Sequence, residues 1–248
     1  MKKLFYLFSI LLILPFTECQ KNTIPTIFIL QQAEDCMQTD PENALRLLKS
    51  IPSVTSLRGQ EQADYAMLYT QACDRCRILG TNDSLIRIAT QYYKDEKNNL
   101  NAAKSFFYQG IIYRNAKSNV ASIDAYLKAL RKMPPKLVNK TLALIHYYLG
   151  EAYYEHKLYK DSLTSYTQCY DTYLAIKDTI GTFYPLRGIA ECYLLQEQAD
   201  SAIYYFQQAL SVATQYEQEV WIPHILGDLA KTYLYQKNDV DSLSLIHI

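Results

Sequence analysis

Glycine and proline are scarce in this 248-residue chain, 7 and 8 in number, which argues against a fold built from many tight turns and favours long helices. Net charge is missing as well. The 25 basic and 25 acidic residues cancel, so no overall field draws the chain to nucleic acid or to an anionic membrane surface. There is a single tryptophan, Trp221, no glycine-rich phosphate loop, no Gly-Ser linker and no block of like charge to mark a domain boundary. What is present in quantity is apolar surface, 49% of residues, and tyrosine, 23 of them. That composition belongs to a globular chain and not to a disordered one.

The first 19 residues read as an export signal. Lys2 and Lys3 precede an apolar run from Leu4 to Phe16, which is followed by Thr17-Glu18-Cys19. The run is too short to be assigned as a membrane span. Two processing routes fit. Cys19 stands where the lipidated first residue of a bacterial lipoprotein would be, although Glu18 occupies a place where Gly, Ala or Ser is expected. Alternatively, an ordinary signal peptidase cuts after Cys19, with Thr17 and Cys19 as the small residues.

From Thr26 onward the chain repeats itself. Small residues that open a helical stripe recur at Ala44, Ser84, Ser122, Ser162, Ala202 and Ser242, in steps of 40, 38, 40, 40 and 40. Four residues after the first five come Leu48, Ile88, Tyr126, Tyr166 and Phe206, and seven after come Ile51, Gln91, Ala129, Cys169 and Ala209. Tyr113, Tyr153, Tyr193 and Tyr233 lie nine residues before their marks, with Gly110, Gly150, Ala190 and Ala230 three residues earlier still. Large and small residues alternating at offsets of three, four and seven form one stripe of a helix, notched where a neighbouring helix comes close. The period therefore predicts pairs of amphipathic helices, with each of the four tyrosines buried between the helices of its pair. Asp40-Pro41-Glu42, Asp83-Ser84, Asp161-Ser162, Asp200-Ser201 and Asp241-Ser242 carry the signals that open second helices.

Residues 103 to 136 carry the pattern most completely: Phe106, Gly110 and Tyr113 on one helix, Ser122, Tyr126 and Ala129 on the next, then Pro134. Over this whole segment the chain resembles the tetratricopeptide repeat (TPR), with a period about six residues longer than the usual 34. The extra length falls between repeats, for example Lys136 to Lys140 and Asp178 to Thr182, which predicts longer second helices or linkers there. The resemblance implies an all-α, right-handed TPR-like superhelix of antiparallel helix pairs with a period of about 40 residues. It also implies one solenoid of about five and a half repeats over residues 20–242. The last six residues, Leu243 to Ile248, carry no helix-face pattern in register. They are what CTG TCT CTT ATA CAC ATC encodes, the mosaic-end adapter of transposon-based sequencing libraries, so 243–248 is expected to be a non-native tail and the natural protein to continue past Ser242.

Residues with chemistry of their own do not assemble into a site. Cys73-Asp-Arg-Cys76 has the spacing of half a zinc site or of a redox pair. Zinc needs two further ligands close by, whereas Cys169 and Cys192 stand apart with no His beside them. A redox pair is expected at a helix N-terminus, and this pair lies inside a predicted helix, where sulfurs three residues apart do not bridge easily. The four His (His146, His156, His224 and His247) form neither H-E-x-x-H nor a Ser-His-Asp pattern. No enzyme, cofactor or metal is therefore expected.

The resemblance implies binding instead. In TPR proteins the second, fifth, ninth, twelfth and thirteenth residues of each first helix line the concave groove. In the second repeat these positions carry over to Tyr69 and Arg77, and in the third to Lys104, Phe107, Arg114 and Asn115. The fourth supplies Tyr147, Glu151, Tyr154 and Glu155, the fifth Tyr184, Arg187 and Glu191, and the sixth Lys231 and Tyr235. The central candidates are Phe107, Arg114, Tyr147, Glu151, Tyr154, Arg187 and Glu191. Aromatic rings interleaved with both signs of charge suit an extended peptide or a sugar chain. The Lys and Asn arrangement with which chaperone-binding TPR domains clamp a terminal carboxylate is absent: the fifth and ninth positions hold Phe107 and Ile111, then Tyr147 and Glu151. Two readings of function follow. One is a protein- or peptide-binding scaffold of the bacterial envelope, attached to the membrane where Cys19 is lipidated. The other is a periplasmic sensory ectodomain whose transmembrane and cytoplasmic parts lie further along the natural chain.

Overall fold

The computed structural model describes residues 25–78, 80–97 and 99–234. Cys19 and the leader, Tyr235, Ser242 and the tail from Leu243 to Ile248 lie outside the described residues. Those described contain eleven α-helices and no strand. Five antiparallel pairs follow one another: α1 (Thr26–Cys36) with α2 (Pro41–Lys49), α3 (Gly59–Arg75) with α4 (Ser84–Tyr92), α5 (Leu100–Asn115) with α6 (Asn119–Lys132), α7 (Lys140–Glu155) with α8 (Tyr159–Ala175), and α9 (Phe183–Leu195) with α10 (Ala199–Gln215). The single helix α11 (Ile222–Thr232) follows against α10. The first helices touch one another in succession, α1 to α3 to α5 to α7 to α9, while the second helices meet chiefly their own partner and the first helix that follows. The layer whose members are closest together lies on the inside of the curve, so the first helices form the concave wall of a right-handed superhelix.

The turn inside each of the last four full pairs is built alike. Arg77, Lys117, Lys157 and Glu197 adopt left-handed backbone with φ between 57° and 61°. The next residue in each case (Ile78, Ser118, Leu158 or Gln198) donates its N–H at 2.8–2.9 Å to the carbonyl of Cys73, Tyr113, Tyr153 or Tyr193. This 6→1 closure satisfies a carbonyl at the helix end and reverses the chain. These turns recur every 40 residues without exception. They fix the register independently of the side chains.

That register corrects the second repeat. Ser84 and Gln91 are exposed and Ile88 is only half-buried, whereas Ile86, Ala89 and Tyr93 of the same repeat are buried. Ile86, Tyr126, Tyr166 and Phe206 therefore form the true series, and the two missing residues fall before α4, not after it. The four tyrosines at 113, 153, 193 and 233 are also half-buried rather than buried. Three of them supply the carbonyl that closes the turn, which sets them on the flank of the pair. The residue before each one (Ile112, Ala152, Cys192 or Thr232) points inward and is buried.

Helix starts agree in part. Asp40 caps α2, its carboxylate accepting from the Asn43 amide at 3.0 Å. Asp161 and Asp200 sit within the first turns of α8 and α10 instead of at the caps, where a carboxylate meets the positive end of the helix dipole. Ser162 is buried, and its hydroxyl donates across the pair to the Gly150 carbonyl at 2.8 Å. The first helices α5 and α7 are capped by Asn99 and Asn139. The extra length between repeats appears as the connection after Lys132 and as a 3-10 turn at Ile180–Thr182.

Glycines set the spacing of the layers. A Cβ added to Gly150 would come within 2.8 Å of the Tyr166 ring, and one added to Gly188 within 2.6 Å of the same ring. Tyr166, from α8, is thus held between α7 and α9. Tyr126 lies against Gly110 of α5 in the same way. In urea unfolding, Gly188→Ala is expected to cost about 1–3 kcal/mol, the usual penalty for overpacking. Gly227→Ala, where a Cβ meets nothing within 4 Å, should instead gain up to about 1 kcal/mol of helix propensity. Equal stability of Gly188→Ala and the parent would show that the ring is not confined.

Candidate functional site

Along the concave wall, charged side chains follow one another from helix to helix: Asp74 on α3, Arg114 on α5, Glu151 on α7, Arg187 and Glu191 on α9, and Asp228 on α11. Each is half-buried. The 40-residue register places Asp74, Arg114 and Tyr154 at one position and Glu151 and Glu191 at another, which is why charges of the same wall align.

Aromatic rings form the bed beneath them. The Arg114 guanidinium carbon lies 4.4 Å from the centroid of the Tyr148 ring, a cation–π contact. Tyr148 in turn stacks on buried Tyr126, with centroids 6.2 Å apart. Tyr147 packs against Tyr148, Tyr166 and Tyr184, and its hydroxyl donates to Glu151 Oε1 at 3.0 Å. The Tyr154 ring meets Tyr159 at 5.8 Å.

The two arginines differ in their engagement. Arg187 is held twice, by Glu191 Oε1 at 2.6 Å and Asp228 Oδ2 at 3.4 Å, and so ties α9 to α11. No carboxylate of the described residues comes within the 4.0 Å ion-pair distance of Arg114. Burial raises the pKa of Asp74, Glu151 and Glu191 above the usual carboxylate range. Arg114 offsets this at Asp74, the Tyr147 hydroxyl and then Arg114 at Glu151, and Arg187 at Glu191. In this row four carboxylates share two guanidiniums.

Of the groove residues expected from the sequence, Arg114, Tyr147, Glu151, Tyr154, Arg187 and Glu191 reach the concave wall. Phe107 does not. It is 2% exposed and packs against Tyr108, Tyr126 and Tyr148 as part of the core. Arg77 is the left-handed residue of a turn, and the Asn115 amide donates to the Gly80 carbonyl at 3.2 Å, so both serve the helix ends. Lys104 is paired with Glu34 at 2.9 Å. Tyr69 is half-buried beside Tyr65, while Tyr184, Glu155 and Lys231 are exposed. Asp74, Tyr148 and Asp228 were not expected. Correcting the second-repeat register by two residues brings Asp74 into line with Arg114.

The remaining candidates stay apart. Cys73 lies in the last turn of α3 and Cys76 at its cap, and the thiols are free. Cys169 is buried, which pushes its thiol up and leaves it a packing residue. Burial holds His146 down to about 4, while His156 and His224 are exposed. Among the described residues no three His, Cys, Asp or Glu side chains gather as a metal site would need, and no helix is long and apolar enough to cross a membrane.

Antiparallel helix pairs in a continuous right-handed stack, with a concave wall of first helices, define the tetratricopeptide-repeat fold. Residues 141–215, which cover α7 to α10, match the sequence profile of the tetratricopeptide repeat. No curated protein matches the sequence. Solved structures do match the fold. BtubC from P. vanneervenii aligns with a TM-score of 0.62 at 12% identity, over 89% of this chain and 85% of that one. RapI in its apo form gives 0.67 at 15%, over 89% of this chain and 62% of that one. A Rap protein complexed with competence and sporulation factor gives 0.66 at 15%, over 89% and 63%. The chain thus spans less than two thirds of either Rap structure.

Glu191 tests the electrostatics of the wall. Burial raises its pKa and Arg187 lowers it, so Arg187→Gln should move the Glu191 carboxyl further upward in a carbon-13 NMR titration. An unchanged titration would show that the ion pair does not form in solution.

Proposed function

We propose that this protein is a non-enzymatic, exported scaffold of the bacterial envelope that holds an extended segment of a protein or peptide partner along its concave wall. The observation that carries this reading is Arg114: a half-buried guanidinium laid on a tyrosine ring, with no carboxylate of its own, in the middle of an acidic row. A charge already withdrawn from water and pre-positioned on an aromatic face is suited to an incoming group. Glu151 and Asp74 nearby favour a partner segment that also carries positive charge, and such complementarity fixes orientation more than affinity. The tetratricopeptide-type fold supports the binding role, as does a Rap protein of this fold that was solved with a bound factor.

Capture of partners from envelope extract tests the groove. Arg114→Glu is expected to lose the partner recovered by the parent, with helical circular dichroism unchanged. Lys128→Ala with Gln168→Ala, both exposed on second helices, should retain it. Loss through the outer pair and retention through Arg114→Glu would place binding on the convex side.

Envelope location rests on the leader and on Cys19 as the lipidated residue. In cells fed a labelled fatty acid, the parent should acquire the label and Cys19→Ser should not. An exported but unlabelled parent would leave the alternative cut after Cys19 as the processing route.

A further inference from the structure

Along the first-helix layer, charges are paired toward both ends and unpaired in the middle. On one side Lys104 Nζ meets Glu34 Oε1 at 2.9 Å. On the other, Arg187 is held by Glu191 at 2.6 Å and by Asp228 at 3.4 Å. Between them lie Asp74 on α3, Arg114 on α5 and Glu151 on α7, one on each of three successive first helices. None of these three has an ion-pair partner within 4.0 Å among the described residues.

Their charged atoms are open to the groove. Asp74 accepts no hydrogen bond from a described residue, and neither of its carboxylate oxygens is closed off from solvent. It also sits in the last turn of α3, where the helix dipole disfavours a negative charge. Glu151 uses Oε1 to accept from the Tyr147 hydroxyl at 3.0 Å and keeps Oε2 accessible. Arg114 rests on the Tyr148 ring, and its five N–H donors meet no carboxylate. Burial raises the pKa of Asp74 and Glu151, and Arg114 acts on both in the opposite sense, so the three charges feel one another without closing into a pair. A half-buried charge without a partner costs the free protein stability that a matched ligand returns.

From α3 to α7 the wall therefore presents negative, positive and negative charge in turn. Packed helices lie about 8–10 Å apart. Two residues of an extended strand advance only about 7 Å before a side chain faces the same way again. Three residues of a polyproline II segment advance about 9 Å and return to the same face, which keeps pace with the helices. The bed between the charges is aromatic: Tyr147 and Tyr148 are half-buried, with ring centroids 5.4 Å apart. Grooves lined by such rings receive proline-rich segments.

We propose that Asp74, Arg114 and Glu151 form a subsite for a proline-rich segment in polyproline II conformation, carrying a basic, an acidic and a basic side chain at every third residue. The subsite rests on the peptide-binding reading above and adds the order and spacing of charge that the wall selects. A uniformly basic segment would set a like charge on Arg114, and a uniformly acidic one would set like charges on Asp74 and Glu151.

The test uses two peptides of equal composition and net charge, acetyl-Lys-Pro-Pro-Glu-Pro-Pro-Lys-amide and acetyl-Lys-Pro-Pro-Lys-Pro-Pro-Glu-amide. The charges of the first read alike in both directions, so the comparison does not depend on which way the segment lies. The second can match two wall charges at a time but not three. In NMR titrations of the purified protein the first should bind about fivefold more tightly, the worth of one partly buried ion pair. In Asp74→Asn the two peptides should bind alike, since only two wall charges remain to be matched. The melting temperature of that variant should not fall, because the charge removed has no partner. A lower melting temperature would mark Asp74 as a structural partner of Arg114 and overturn the subsite. So would equal binding of the two peptides by the parent, or binding of neither. Binding of acetyl-Lys-Pro-Glu-Pro-Lys-amide as tight as that of the first peptide would overturn the polyproline II spacing. The subsite and the groove fail separately. Capture of the partner lost in Arg114→Glu, with no preference between the peptides, rejects the subsite alone. A clear preference in the parent, with capture retained in Arg114→Glu, rejects the Arg114 groove for that partner and keeps the subsite.

Discussion

The contact on which this structure depends is a tyrosine ring laid against the bare α-carbon of a glycine. Glycine inside a helix costs roughly 1 kcal/mol relative to alanine, because it frees the unfolded backbone and contributes no side chain. The chain accepts that cost at Gly110, Gly150 and Gly188, where any Cβ would intrude on Tyr126 or Tyr166. Tyr166 has glycine on both sides, so a single ring sets the approach of α7, α8 and α9. Close approach through the notches brings successive first helices into contact. That contact makes them the inner wall, and it aligns residues 40 apart into rows. The groove is a consequence of the packing and not an addition to it.

Much of this was legible in the sequence, and the failures have separate physical causes. From Tyr126 onward the large residue, the small residue and the glycine or alanine opposite all recur at the same step, so three signals agree and the third to fifth repeats are read in the right register. In the second repeat there is no glycine notch and no tyrosine at the expected place, and Ser84 was the nearest small residue. The slip was two residues. It moved the reading from Arg75 to Arg77, passed over Asp74 and concealed Gln71, which shares its register position with Glu151. The turn residues Arg77, Lys117, Lys157 and Glu197 hold the step without a slip. They went unread because lysine, arginine and glutamate are not the residues expected in left-handed backbone, where glycine is the ordinary signal. Phe107 failed for a different reason. A position on the first helix can face the groove or the tyrosine beneath it, and only the packing of Tyr126 and Tyr148 decides which.

The wall divides its charges between two tasks. Arg187, held by Glu191 and Asp228, joins neighbouring helices, and a guanidinium so engaged has little left to offer a ligand. Arg114 makes the opposite use of the same side chain: its contact is the face of Tyr148, which stabilises the cation without neutralising it. Sequence alone does not separate these two arginines, both of which sit on first helices, α5 and α9. The difference arises from the neighbours, an aspartate on α11 in one case and a tyrosine on α7 in the other.

The succession of contacts from helix to helix also has a mechanical meaning. With each pair meeting chiefly its neighbours, a pull along the axis is transmitted largely in series from joint to joint. The joints are unequal. The firmest is that of α8 with α9, where Tyr166 is wedged between two helices with glycine on either side. Under tension the array should therefore extend at its other joints before it disturbs the region of Tyr166. A partner drawn taut between two anchorages would feel a spring with one stiff segment.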